Sequence, residues 1–124
     1  MGSLHAAAAK LGLGTALICA LLLAAAAFQF LCLDAASTRR FTISASTVAD
    51  GQLYRIVTSS FLHGGLLHLG MNVASTAAIS GALERSAGTV RLLAITLWAV
   101  PLAGLVSCAL SLLLTFVTRD ESFA

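Results

Sequence analysis

The sequence predicts an all-α membrane protein with three transmembrane helices. Of its 124 residues, 59% are hydrophobic and only 10% are charged, and the mean hydropathy is +0.98. Soluble globular proteins carry about 25% charged residues, so this chain has too little charge to cover a surface that faces water. Three long runs contain no charged residue, and each is long enough to cross a hydrocarbon core of roughly 30 Å. At that depth only a helix satisfies its backbone polar groups internally.

The three predicted spans are residues 11–33, 61–83 and 92–117. A cleaved signal peptide is an alternative for the first run, but the run is longer than the usual 7–15 apolar residues of such a segment. Pro101 lies inside the third run, where it removes a backbone hydrogen bond and predicts a bend. The chain is therefore expected to be an integral, multi-pass membrane protein, and its sequence names no organelle.

The two connections differ in length and character. Residues 34–60 form a long connection whose second half is amphipathic, which predicts a structured loop at the membrane interface. The link between the second and third runs, "ERSAGTVR", is short and polar, as a helical hairpin requires. No repeat or linker interrupts the chain, so we expect residues 1–124 to form one membrane domain.

The charged residues predict lipid rather than nucleic acid as the environment. The formal charge is only +2, and there is neither a basic tract nor an acidic tail. The basic residues divide almost evenly between the two predicted sides of the membrane, which leaves the orientation open under the positive-inside rule. They are Lys10, Arg85 and Arg91 on one side and Arg39, Arg40, Arg55 and Arg119 on the other.

No metal or cofactor is predicted. The three cysteines, Cys19, Cys32 and Cys108, fall within the spans without a Cys-x-x-Cys pair and are expected to behave as small hydrophobic residues. His63 and His68 are five residues apart, which is not the spacing that places two imidazoles on one helical face, and no Glu or Cys joins them.

Three polar residues stand out in the second run: His63, His68 and Asn72. Residues four apart share a helical face, so His68 and Asn72 should project together, whereas His63 lies about 140° around the axis. One interpretation is that all three make hydrogen bonds between helices that assemble the bundle. The other is that His68 and Asn72 aim N–H donors at a buried wet site, where they could stabilise an oxyanion. The spacing alone leaves both interpretations open.

The second run also carries a strip of small residues at three- and four-residue spacings. Such a strip permits close approach of another helix, so this face is a candidate surface for association. Its members are Gly70, Ala74, Ala77, Ala78 and Gly81.

The segment "LYRIVTSSFLHGGLLHLGMNVASTAAISGALERSAG", residues 53–88, resembles the second-helix region of rhomboid intramembrane serine proteases. The resemblance is carried by an aromatic-Arg pair, a His-x4-His-x3-Asn pattern and a Gly-x-x-Glu-Arg-x-x-Gly turn. These are Tyr54 and Arg55, then His63, His68 and Asn72, then Gly81, Glu84, Arg85 and Gly88.

The resemblance implies a bundle of six or more helices that cleaves transmembrane protein substrates within the bilayer. In that family a Ser in a Gly-x-Ser-Gly motif on the fourth span is the nucleophile, and a His on the sixth is its base. By the resemblance, His68 and Asn72 help to form the oxyanion hole. The remaining motif residues would be structural, the Glu-Arg turn tying loops together on one face: Arg55, His63, Gly81, Glu84, Arg85 and Gly88.

The sequence departs from the family pattern in one respect: it contains neither the Gly-x-Ser-Gly nucleophile nor a histidine after His68. Ser80, in "AISG", lies roughly 18 Å along the helix from His68 and cannot form a dyad with it. We therefore expect a rhomboid-type protease that lacks its nucleophile-bearing half and is inactive as this chain alone. The alternative is a non-catalytic rhomboid-like protein, of the derlin or inactive-rhomboid type, that binds transmembrane clients. A channel or transporter subunit is disfavoured because few polar residues could line a pathway.

Overall fold

The structure is a computed structural model that describes residues 11–118. Its three long helices are α1 (Leu13–Cys32), α5 (Leu66–Ala87) and α6 (Thr89–Thr118). Between α1 and α5 lie the short helices α2 (Ala35–Arg39), α3 (Ala45–Ala49) and α4 (Arg55–Thr58), followed by a 3-10 turn at Ser59–Phe61. The three long helices have the length and hydropathy of membrane spans, which confirms the prediction of an all-α membrane protein.

The three long helices pack against one another, with α1 and α5 in the most extensive contact. The buried side of α1 carries Cys19, Leu22 and Ala26. Large apolar side chains elsewhere point outward, such as Leu31 and Phe116, each 83% exposed. A surface of this kind is stable in a hydrocarbon solvent and would be costly in water.

The second span is shifted along the sequence from the predicted residues 61–83. It begins at Leu66 because the preceding residues form the 3-10 turn and an extended step through Gly65, whose φ is +156°. It continues to Ala87 because Glu84 finds hydrogen-bond partners inside the protein and need not reach water. The predicted polar connection, residues 84–91, shrinks to Gly88, whose φ of +86° is a backbone conformation that favours glycine.

The connection between α1 and α5 is folded by local caps. Asp34 caps α2 by accepting a hydrogen bond from the Ser37 amide at 2.7 Å, and this bond lowers the pKa of the Asp34 carboxyl. Ser44 and Thr47 form a capping box at the start of α3. These caps hold helices of only five residues that would not be stable alone.

This folded connection packs against the far half of α6. At Gly104 an added Cβ would collide with the backbone carbonyl oxygen of Ile56 in α4, so only glycine fits there. Gly104 lies about 24 Å along α6 from the hairpin at Gly88, at 1.5 Å per residue. The connection therefore lies at the end of the bundle where α1 ends and α5 begins, which we call the loop end. The opposite end, at Gly88, is the hairpin end.

Candidate functional site

His68 and Asn72 lie one turn apart near the start of α5, at the loop end of the bundle. The His68 side chain is exposed, and the Asn72 side chain is half-buried. The Nδ1 atom of His68 accepts a hydrogen bond from the Gly64 amide at 3.2 Å. A nitrogen that accepts carries no proton, so a neutral His68 has its proton on Nε2. The first turn of α5 thus presents an N–H donor, and the next turn presents a carboxamide.

Gln29 of α1 holds His63 in place through hydrogen bonds to the His63 backbone. The Gln29 side chain donates from Nε2 to the His63 carbonyl, and its Oε1 accepts from the His63 amide, both at 2.8 Å. Gln29 and His63 are both buried, with 9% and 3% of their surfaces exposed. This reciprocal pair fixes the chain three residues before α5 begins, and so it fixes where His68 is displayed.

The His63 ring has a different setting from its backbone. Its two ring nitrogens are buried and have no hydrogen-bond partner within residues 11–118. The ring lies beside that of His68, with 5.6 Å between centroids and 60° between planes. The buried His63 ring therefore packs against the exposed His68 ring, and its structural role stays a prediction from the family resemblance.

Arg55 binds the folded connection together. Its guanidinium donates to the carbonyls of Arg39 and Thr42, at 2.7 and 2.8 Å, and to the Gln52 side chain at 2.7 Å. The neighbouring Tyr54 hydroxyl donates to the Arg40 carbonyl at 3.1 Å. The three bonds to backbone carbonyls join residues 13 to 16 positions apart, and the bond to Gln52 lies within a single turn. Tyr54 and Arg55 therefore hold the connection in its folded form.

Glu84 joins separate parts of the chain at the hairpin end, as Arg55 does in the connection. Its carboxylate accepts bonds from the amides of Gly14 and Thr15, at 2.8 and 2.9 Å, and from the Thr15 and Thr89 hydroxyls, at 2.7 and 2.6 Å. The carboxylate satisfies amides at the start of α1, where the helix dipole also favours negative charge. One buried side chain thus joins α1, α5 and α6. A Cβ at Gly12 would collide with this carboxylate.

The rest of the Glu-Arg turn is positioned around Glu84. Gly81 is buried, and a Cβ there would come within 3.3 Å of the Arg85 guanidinium. Arg85 itself is exposed, and Gly88 makes the one-residue turn.

The small-residue strip of α5 is only partly buried by the described residues, since Gly70, Ala74 and Ala78 are exposed.

The sequence pattern predicts the motif residues but not their partners. Gln29 and Thr15 were visible only as the most polar members of the first run, and a buried polar side chain in an apolar run is itself a signal that a partner exists. Their partners are 34 and 69 residues away along the chain, a distance that no local pattern spans.

The site offers hydrogen-bond donors, and the described residues 11–118 do not contain the family's Gly-x-Ser-Gly serine. Ser80, the closest imitation of the family's serine, lines a small inner cavity of about 230 Å³ with Ser60, Thr76 and Thr96, on the bundle side of α5. Within residues 11–118 no group of three or more His, Cys, Asp or Glu residues could hold a metal ion. The geometry is that of an imidazole and a carboxamide one turn apart near the start of α5.

Comparison with known proteins identifies the family directly. A family model described as the Rhomboid domain matches residues 50–118, more than half of the chain. The match includes α4, α5 and α6 and every motif residue from Tyr54 to Gly88. Neither the search of curated proteins nor that of solved structures finds a match. The chain belongs to the rhomboid family.

Proposed function

We propose that this chain forms the oxyanion-stabilising part of a rhomboid-type intramembrane serine endopeptidase that cleaves transmembrane proteins. The serine and its base are absent from residues 1–124, so in this proposal they come from other helices. His68 and Asn72 supply N–H donors to the carbonyl oxygen as it becomes an oxyanion.

The observation that carries the proposal is the hydrogen bond from the Gly64 amide to Nδ1 of His68. It leaves the proton on Nε2, pointing away from Gly64 and available to an acceptor. Donors held in place before the reaction stabilise a developing charge without reorganisation. The hydrogen bonds between Gln29 and the His63 backbone hold the segment before α5 in place. The Asn72 carboxamide lies one turn further along the same face of α5.

The test uses the full-length protein, reconstituted in liposomes with a transmembrane reporter substrate. His68→Ala and Asn72→Ala should each lower the cleavage rate by about 10²-fold, the usual cost of losing one oxyanion donor. Met71→Ala is the matched control, because Met71 is 63% exposed and adjoins Asn72 on another face. It should cleave at the wild-type rate.

Two results would contradict the proposal. Wild-type rates in both the His68 and Asn72 variants would remove these residues from the reaction. A full-length protein that binds transmembrane segments and never cleaves them would instead favour the client-binding alternative, for which the absence of a Gly-x-Ser-Gly motif from residues 1–124 is the supporting observation.

A further inference from the structure

An apolar groove runs along the outside of α1 and has no role in the proposed catalysis. Two adjoining cavities form it, of about 440 Å³ and 330 Å³, and they share Leu21 and Phe61. The groove extends from Leu17 on α1 to Leu33, the residue that follows α1, about 24 Å at 1.5 Å per residue. Its other wall is built by α6 and by the connection, including Val57.

The polar side chains that line this groove are already satisfied. The Thr96 hydroxyl donates to the Leu92 carbonyl at 2.9 Å, and the Thr58 hydroxyl donates to the Phe41 carbonyl at 3.1 Å. The Gln29 carboxamide is paired with the His63 backbone. The groove therefore offers an occupant hydrocarbon contact and no hydrogen bonds, which suits an acyl chain better than a peptide segment.

Positive charge stands at one end of the groove. Leu33 and Phe41 line the groove at the loop end, and the exposed residues Arg39 and Arg40 directly precede Phe41. Asp34, at the start of the same short helix, is the one acidic side chain of α2 and its caps, so the pair of arginines leaves a net positive charge. A phosphate at the level of the bilayer headgroups would find two guanidinium groups there.

We propose that this groove is a binding site for one anionic phospholipid of the surrounding membrane. An acyl chain lies against Leu17, Leu21 and Phe61, and the headgroup phosphate binds Arg39 and Arg40. Each buried methylene adds to the affinity, and the guanidinium groups select headgroups with net negative charge. The proposal is independent of proteolysis, because neither His68 nor Asn72 lines the groove.

The experiment is native mass spectrometry of the purified chain, released from detergent after incubation with phosphatidylglycerol or phosphatidylcholine of identical acyl chains. We expect one retained lipid and a preference for phosphatidylglycerol, with each arginine contributing about fivefold. Replacing both Arg39 and Arg40 by Gln should abolish the preference. Replacing Arg85 and Arg91 by Gln removes the same charge at the hairpin end and should leave the preference intact.

A second pair of variants tests the groove itself. Val57→Trp places an indole where the acyl chain would lie, whereas Val90→Trp adds the same group at a site that is 81% exposed and outside the groove. Both variants should unfold at the same temperature, and only Val57→Trp should lose the lipid. Equal lipid retention in the two variants would overturn the proposal, and so would equal binding of the two lipids to the wild type. A dimer that only Val57→Trp disrupts would assign the groove to a second copy of the chain instead.

Discussion

The hydrogen bonds between Gln29 and His63 allow a quantitative prediction for Gln29→Met. Methionine has a similar length without a hydrogen-bonding amide, so the substitution leaves the His63 amide and carbonyl buried and unpaired. An unsatisfied buried donor or acceptor costs about 1–3 kcal/mol, which gives about 2–6 kcal/mol for the two. Hydrogen bonds between membrane helices usually contribute less, about 0.6 kcal/mol, because the unfolded chain in the membrane also finds partners. We therefore expect a loss of about 2–3 kcal/mol, near the lower bound.

The assay is reversible unfolding in mixed micelles with increasing dodecyl sulfate, followed by circular dichroism. Leu31→Met is the matched control, since Leu31 lies two residues away on the same helix and is 83% exposed. The control should unfold at the wild-type midpoint. A difference of less than about 0.5 kcal/mol between the two variants, the range of ordinary surface substitutions, would show that Gln29 does not hold the start of α5.

Four further substitutions test the packing around the site. Gly104→Ala should destabilise the fold by about 1–3 kcal/mol, the usual cost of overpacking, because the new Cβ meets the Ile56 carbonyl oxygen; the midpoint of the same unfolding titration measures it. Gly88→Ala should cost about 1–3 kcal/mol, because its φ of +86° and ψ of 161° lie in a region that is essentially limited to glycine. Gly70→Ala, in open space within α5, should instead raise stability by up to about 1 kcal/mol. Glu84→Gln should lower the thermal midpoint, since one amide oxygen cannot replace a carboxylate that accepts four hydrogen bonds.

Each of these substitutions has an outcome that would contradict its reasoning. An unchanged midpoint for Gly104→Ala would mean that α4 moves away from α6 at little cost. Equal effects of alanine at Gly88 and Gly70 would remove the backbone argument for the turn. For Glu84, the control is Arg85→Gln on the neighbouring exposed side chain; a larger effect there would make the arginine the anchor of the turn.

The sequence predicted the fold class because charge-free runs of more than 20 residues have one stable form in a bilayer. It placed the first and third spans within three residues of α1 and α6, since apolar composition changes sharply there. It misplaced the second span because Glu84 and Arg85 look like a polar connection. Inside the protein, bonds from Gly14, Thr15 and Thr89 make Glu84 compatible with a helix.

The candidate site was likewise predicted only in part from the sequence. The four-residue spacing of His68 and Asn72 fixes that they share a helical face, and the family match confirms the family to which the motif belongs. The tautomer of His68 follows from its hydrogen bond with the Gly64 amide. This bond forms because Gly64 lies in a non-helical turn, whereas the sequence pattern placed Gly64 within the second span. The oxyanion role of the pair remains a prediction.

The carboxylate of Glu84 fastens three helices at one end only. At the other end, the bonds between Gln29 and the His63 backbone join α1 to the segment before α5, and this pair of bonds does not include α6. We therefore expect the three helices to move apart more at the loop end than at the hairpin end.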